Sequence, residues 1–136
     1  MDSNAATGNQ RHQGAADAVT SAIIGSAIEV HRELGPGLLE SSYEACLAHE
    51  LATRGFDVKR QLAIPVSYKG ISLDCGYRAD LLVEDQVIVE LKTIERFAPI
   101  HEAQILSYLR LSGKSVGLLI NFHAYSIKLG LKRVVL

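Results

Sequence analysis

Asp80 and the triplet Glu90, Leu91, Lys92 are the residues of this chain whose types and spacing most directly permit chemistry. Apolar runs at 81–83 and 87–89 read as two strands joined through the polar trio Glu84, Asp85, Gln86. With the turn centred on Asp85, Asp80 falls directly across from Glu90. Directly opposed Cβ atoms lie about 4.5–5.5 Å apart, and like charges in that position destabilise a sheet. Lys92 is two residues on from Glu90, hence on the same face, and offsets part of the repulsion. A divalent cation held by the two carboxylates offsets the rest. That grouping is the outline of a hydrolytic metal site.

A second set of polar side chains follows on a helix. Pro99 near an N-terminus and Gly113 beyond the end bound a helical pattern that covers 101–111. His101, Gln104, Tyr108 and Leu111 recur at spacings of three, four and three, so they share one face. Ile105, Leu106 and Leu109 occupy another sector and serve the core. A His, Gln, Tyr stripe is commonly a solvated surface. Its place directly after the strand bearing Glu90 and Lys92 makes the helix cross back near the carboxylates.

The remaining elements are those that must position these groups. Residues 1–14 carry no apolar period and are expected to form a mobile tail. From Ala15 onward Val19, Ile23, Ala27, Val30 and Leu34 mark an amphipathic helix that Gly35, Pro36 and Gly37 end. A second helix is expected over 38–54, closed by Gly55, with the apolar stripe Leu39, Tyr43, Leu47, Leu51. Glu40 borders that stripe. A buried carboxylate needs a partner, although an acid at a helix N-terminus is also favoured by the dipole alone.

Apolar residues at the even positions from Phe56 to Tyr68, Arg60 excepted, give strand periodicity over a long run, with Pro65 requiring an edge or a bulge. Lys69 and Gly70 turn the chain; a return over 71–83 and a third strand over 87–93 complete an antiparallel meander. Residues 116–122 are apolar on both faces, as a buried parallel strand would be, and 126–136 end in a last strand. The order helix, helix, three strands, helix, strand, strand argues for an α/β domain with helices packed on a mixed sheet.

With 136 residues, 48% of them hydrophobic, the chain has material for one core, and a single domain over 15–136 is expected. Fourteen basic against fifteen acidic side chains give a formal charge of −1, which excludes global attraction to nucleic acid or to an anionic membrane. A polyanion must therefore meet a local patch, for which Arg78, Arg96 and the group Lys128, Lys132, Arg133 are the candidates. Cys46 and Cys75 lack metal-binding spacing, and no export signal is visible, so free thiols in a reducing cytoplasm are expected. The longest apolar stretch, 116–120, is far short of the roughly 20 residues of a membrane helix.

Taken in order, Gly37, Glu40 and Tyr43, then Asp80 with Glu90-Leu91-Lys92, then Gln104 and Tyr108, resemble the PD-(D/E)XK nuclease superfamily. The first three match the naming motif of its small GxxExxY proteins, and the last two match the QxxxY element of RecB-type exonuclease domains. The resemblance covers about 15–136, with Ala79 standing where the signature has proline. It implies a restriction-endonuclease-like fold and hydrolysis of phosphodiester bonds in DNA, less readily RNA, by metal-activated water. It further implies that Asp80, Glu90, the main-chain carbonyl of Leu91 and Glu40 ligate Mg²⁺ or Mn²⁺, an oxygen-only set suited to those ions. Lys92 would position or deprotonate the attacking water. Gln104 and Tyr108 would orient Lys92 or the substrate, with His101 against a phosphate and Tyr43 in support.

Two other classes remain open from sequence. The near-neutral charge and small size suit a catalytically silent binding or assembly module that keeps the fold, as a homodimer or a subunit of a larger complex. A small-molecule phosphoesterase would need an enclosed apolar pocket, of which the sequence gives no sign.

Overall fold

The computed structural model describes the backbone of residues 2–136 and the side chains of residues 14–136. The expected tail over 1–14 therefore lies, Gly14 apart, outside the described side chains. Helix α1 spans Asp2–Leu34 and ends where Gly35 takes φ 67°. Helix α2 is Glu40–Thr53, and helix α3 is Pro99–Ser112, closed by Gly113 in the left-handed conformation. The strands are β1 (Val58–Ala63), β2 (Val66–Tyr68), β3 (Ile71–Leu73), β4 (Arg78–Val83), β5 (Val87–Lys92), β6 (Val116–Asn121) and β7 (Leu131–Val135). A 3₁₀ turn, Lys128–Gly130, leads into the last of them.

Five strands form one mixed sheet in the order β1-β4-β5-β6-β7. Only β5 and β6 are parallel, which is the pairing that the α3 crossover requires; the other neighbours are antiparallel. The expected α/β class, antiparallel meander and buried parallel strand are thus all present, in an arrangement consistent with a restriction-endonuclease-like fold. β6 is buried at every position, and a Cβ on Gly117 would come within 2.7 Å of Ile105 Cδ1, so the small residue lets α3 sit close to the sheet.

The two faces of the sheet bury separate clusters. Leu81, Val83, Val89, Leu91, Leu118 and Ile120 pack with Ile23 and Ala27 of α1 and Tyr43, Leu47 and Leu51 of α2. Leu82, Ile88 and Leu119 pack with Ile105, Tyr108 and Leu109 of α3. Each fully buried aliphatic side chain of this kind contributes roughly 1.5–3 kcal/mol, enough for the alternation of strand residues to fix which face each one serves. Glu90 and Lys92 share the parity of Ile88 and so belong to the α3 side.

Three expectations are corrected. The long strand expected from Phe56 to Tyr68 is two strands, because Pro65 cannot donate to a ladder; β1 stays on the sheet edge, while β2 pairs with β3 in a separate hairpin. The return over 71–83 is likewise broken, at a turn in which Asp74 Oδ1 accepts the Gly76 N–H at 3.0 Å. Leu39 is not part of the buried stripe of α2: it precedes the helix, caps it in an extended conformation and is 76% exposed. Both cysteines are free, and no described helix is long and apolar enough to cross a membrane.

Candidate active site

The β4–β5 hairpin brings the acids together as its turn dictates. Glu84 and Asp85 both take positive φ, 54° each, and the resulting register pairs Leu81 with Val89 and Leu82 with Ile88. Continued one step, it sets Asp80 against Glu90. There the ladder is replaced by side-chain bonds: the Asp80 N–H donates to Glu90 Oε1 at 2.9 Å, and the Leu91 N–H donates to Asp80 Oδ2 at 2.8 Å. Backbone pairing stops because the carboxylates take over the amides.

Burial makes those charges costly. Glu90 is only 4% exposed, and burial, then the Asp80 charge, push its carboxyl up to about 8. Asp80 is raised too, first by burial, with the Leu91 N–H opposing and the Glu44 charge assisting. Glu40, the first residue of α2, is raised by burial and then by Asp80, while Lys92 lowers it. The electrostatic coupling of Glu40 to Asp80 and Lys92 places it in the same cluster, across from the strands. Its carboxylate has no hydrogen-bond partner among the described residues, so it is not consumed by capping its own helix.

Lys92 ends β5 and reaches α3. Its Nζ donates to Gln104 Oε1 at 3.3 Å, and Gln104 Nε2 donates to Tyr108 Oη at 3.2 Å. One unbroken chain of contacts therefore runs from Lys92 through Gln104 to Tyr108. Tyr108 is 5% exposed, so the polar stripe is not a solvated face at this point; burial and then Glu90 raise the phenol.

The glycine-to-tyrosine segment has a mechanical role. Gly37 sits at φ 106°, a conformation strained for any residue with a Cβ. Tyr43 is fully buried and stacked on Phe122, centroids 4.6 Å apart. Its hydroxyl donates to Gly35 O at 2.5 Å and accepts the Leu38 N–H at 3.1 Å. Tyr43 thus clamps the loop that delivers Glu40, rather than facing the carboxylates itself.

Other expected contacts are placed elsewhere. His101 Nδ1 accepts the Ala98 N–H at 2.9 Å, which ties the imidazole to the start of α3, beside the Phe97 ring. Arg78 pairs with Asp74 at 3.3 Å, Lys132 with Glu102 at 2.7 Å and Arg133 with Asp17 at 2.5 Å. Lys132 and Arg133 lie on β7, two strands from β5, and Lys128 lies in the turn before it, so the basic group is not gathered at the acids. Arg96 is exposed in the loop after β5.

Three residues not anticipated from sequence shape the site. Gln61, in the left-handed region at φ 51°, donates from Nε2 to Glu44 Oε1 and, at 3.3 Å, to Asp80 Oδ1. Glu44 is 6% exposed and also receives Arg60, from NH2 at 2.9 Å and Nε at 3.2 Å. Arg60 at an expected inward strand position was the one available signal for a buried acid. Asn121, 3% exposed, is opposite Lys92 and pins the following loop, donating to Ile94 O at 2.7 Å and accepting the Ile94 N–H at 3.1 Å.

Among the described residues no three His, Cys, Asp or Glu side chains already converge as a metal-binding group. The donor chemistry still fits a hard dication. It consists of carboxylate and carbonyl oxygens, burial and mutual repulsion raise its acids above their ordinary values, and the Glu40 carboxylate has no hydrogen-bond partner among the described residues. A family model described as the PD-(D/E)XK nuclease superfamily matches residues 17–134. No curated protein and no solved structure matches the chain.

Proposed function

The chain belongs to the PD-(D/E)XK nuclease superfamily, and from that premise we propose that it is a metal-dependent phosphodiesterase that cuts DNA, using Mg²⁺ or Mn²⁺. Superfamily membership carries a nuclease-type function, a nucleic-acid substrate and a general dependence on divalent metal. Within it, the spacing of Gly37, Glu40 and Tyr43 supports a place among the GxxExxY proteins. The observation that carries the reading is the Asp80–Glu90 pair: two opposed, largely buried carboxylates beside an ammonium group, with Glu90 pushed up to about 8 by burial and then by the Asp80 charge.

Asp80, Glu90, Glu40 and the Leu91 carbonyl would hold the ion, which supplies charge to polarise a phosphoryl oxygen and to acidify a bound water. Lys92 places its ammonium group beside the acids, where it orients the attacking water and offsets charge growing on the phosphate. Gln104 accepts from Lys92 and is itself fixed by Tyr108, so the ammonium group is pre-positioned. Tyr43 and Gly37 set where Glu40 enters. Of the five candidate cations Arg78, Arg96, Lys128, Lys132 and Arg133, Arg96 and Lys128 are the two in no ion pair among the described residues, and they fit phosphate contacts away from the scissile bond.

A second reading is supported by the carboxylates' occupation with strand amides: a silent module that binds nucleic acid or a partner chain without turnover, in a homodimer or larger assembly. Labelled linear and circular, single- and double-stranded oligonucleotides with and without Mg²⁺ or Mn²⁺ separate the two. The nuclease reading expects ion-dependent cleavage that Asp80→Ala abolishes. Cleavage at an unchanged rate in that variant rejects the site; no cleavage together with no Mn²⁺ uptake by calorimetry favours the silent module.

A further inference from the structure

A cavity of about 310 Å³ adjoins the Lys92–Gln104–Tyr108 chain, lined by Val66, Tyr77, Gln104, Ser107, Tyr108 and Leu111. Its walls join two tyrosine rings, 6.1 Å apart between centroids and tilted by 59°, to two aliphatic side chains and two polar ones. Of the two tyrosines, Tyr77 is 47% exposed and Tyr108 is buried. The volume lies at the lower end of sites for one small ligand, roughly 300–1,000 Å³, which accommodates a single nucleotide and excludes a duplex.

We propose that this cavity is a subsite for one unpaired nucleobase of the strand being cut, so that the substrate class is single-stranded or frayed-end nucleic acid. The inference rests on the nuclease reading of the adjoining site. Continuity is the first argument: Gln104 lines the cavity and also accepts from Lys92 at 3.3 Å, so an occupant is one side chain from the ammonium group. Chemistry is the second. Aromatic faces hold bases of any identity because every base has a π-face, and Ser107 and Gln104 offer donors and acceptors to a base edge. A paired base inside a duplex has both faces covered by its neighbours and cannot present one to Tyr77. Beyond the cavity the β2–β3 hairpin carries a second exposed ring, Tyr68, with Lys69 Nζ 5.3 Å from its centroid, an aromatic and a cation suited to the next base and phosphate.

The test measures binding apart from cleavage, in an Asp80→Asn background. A single-stranded DNA oligonucleotide carrying 2-aminopurine is compared with a blunt duplex of the same sequence, by fluorescence and by anisotropy. The expected result is quenching of 2-aminopurine on binding. Tyr77→Ala should abolish the quenching and weaken single-strand affinity about tenfold, with duplex affinity unchanged, and Tyr77→Phe should restore both. No single-strand binding, equal weakening on both substrates, no effect of Tyr77→Ala, or failure of Tyr77→Phe to restore the signal would overturn the subsite. Failure of the nuclease reading has a different signature: Tyr77-dependent stacking persists while the wild-type chain cuts nothing with Mg²⁺ or Mn²⁺.

Discussion

Asp80 and Glu90 are bound to each other through the backbone of one and the side chain of the other: the Asp80 N–H donates to Glu90 Oε1 at 2.9 Å. The contact holds two acids together that repel once both ionise. Burial and Asp80 accordingly raise Glu90 to about 8. Stability, ion affinity and activity are therefore all tied to the same pair.

Stability of the metal-free protein should fall as pH rises. Below the ordinary value of 4.5 the folded and unfolded chains both keep the Glu90 proton; between 4.5 and about 8 only the folded chain does, so ionisation favours unfolding. Asp80 and Glu40, also raised, act in the same direction. The one-proton slope is of order 1 kcal/mol per pH unit. Thermal melts at pH 5 to 8 in the presence of a chelator should show a declining Tm, and Glu90→Gln should flatten the decline.

Ion binding should show the opposite trend. A dication takes the ionised carboxylates, so binding displaces the Glu90 proton and tightens as pH approaches about 8. Calorimetric titration with Mn²⁺ should give at least about tenfold higher affinity at pH 8 than at pH 6, with proton release that depends on buffer ionisation enthalpy. A pH-independent affinity would remove Glu90 from the ligand set.

Replacing Lys92 by Met should lower kcat by about 10²–10³ while leaving the melt nearly unchanged, since loss of a positioned charge donor costs that much. Gln104→Ala should cost less, because it frees the ammonium group without removing it. Steady-state cleavage with Mg²⁺ checks both. A Gln104 variant worse than the Lys92 variant would contradict the order of contacts.

Tyr43→Phe should destabilise by roughly 1–2 kcal/mol, because it removes the hydroxyl that satisfies Gly35 O and the Leu38 N–H but keeps the stack on Phe122. Urea midpoints give the loss. Activity should fall in step as the loop bearing Glu40 loosens; full activity would show that the clamp does not position Glu40.

Gln61 offers a separation of strain from function. Both Gln61→Ala and Gln61→Gly lose the bond to Asp80 Oδ1, so both should lose activity equally, by about two- to tenfold if that bond contributes a typical 0.5–1.5 kcal/mol. Only the glycine is relaxed at φ 51°, and it should be about 1 kcal/mol more stable than the alanine.

How much of this was legible in the chain itself depends on range. The Asp80–Glu90 opposition followed from apolar alternation and turn length, because a strand period of two leaves few registers that bury both flanking runs. The limits of α3 and the parallel pairing of β6 followed from a proline, a glycine and an uninterrupted apolar run. The Gln104 and Tyr108 spacing put both on one helical face. These are local rules, read within about ten residues.

What tertiary structure decided are relationships between distant segments. Nothing near Gln61 in the sequence announces that it bridges Glu44 on α2 and Asp80 on β4, or that Asn121 holds the loop beside Lys92. The same holds for Lys132 and Arg133 of β7, whose partners Glu102 on α3 and Asp17 on α1 are distant in the chain. Local sequence fixes period and turn, whereas the partner of a buried charge is chosen by packing. Burial removes water, and the nearest side chain able to replace it comes from whichever element the fold has brought there.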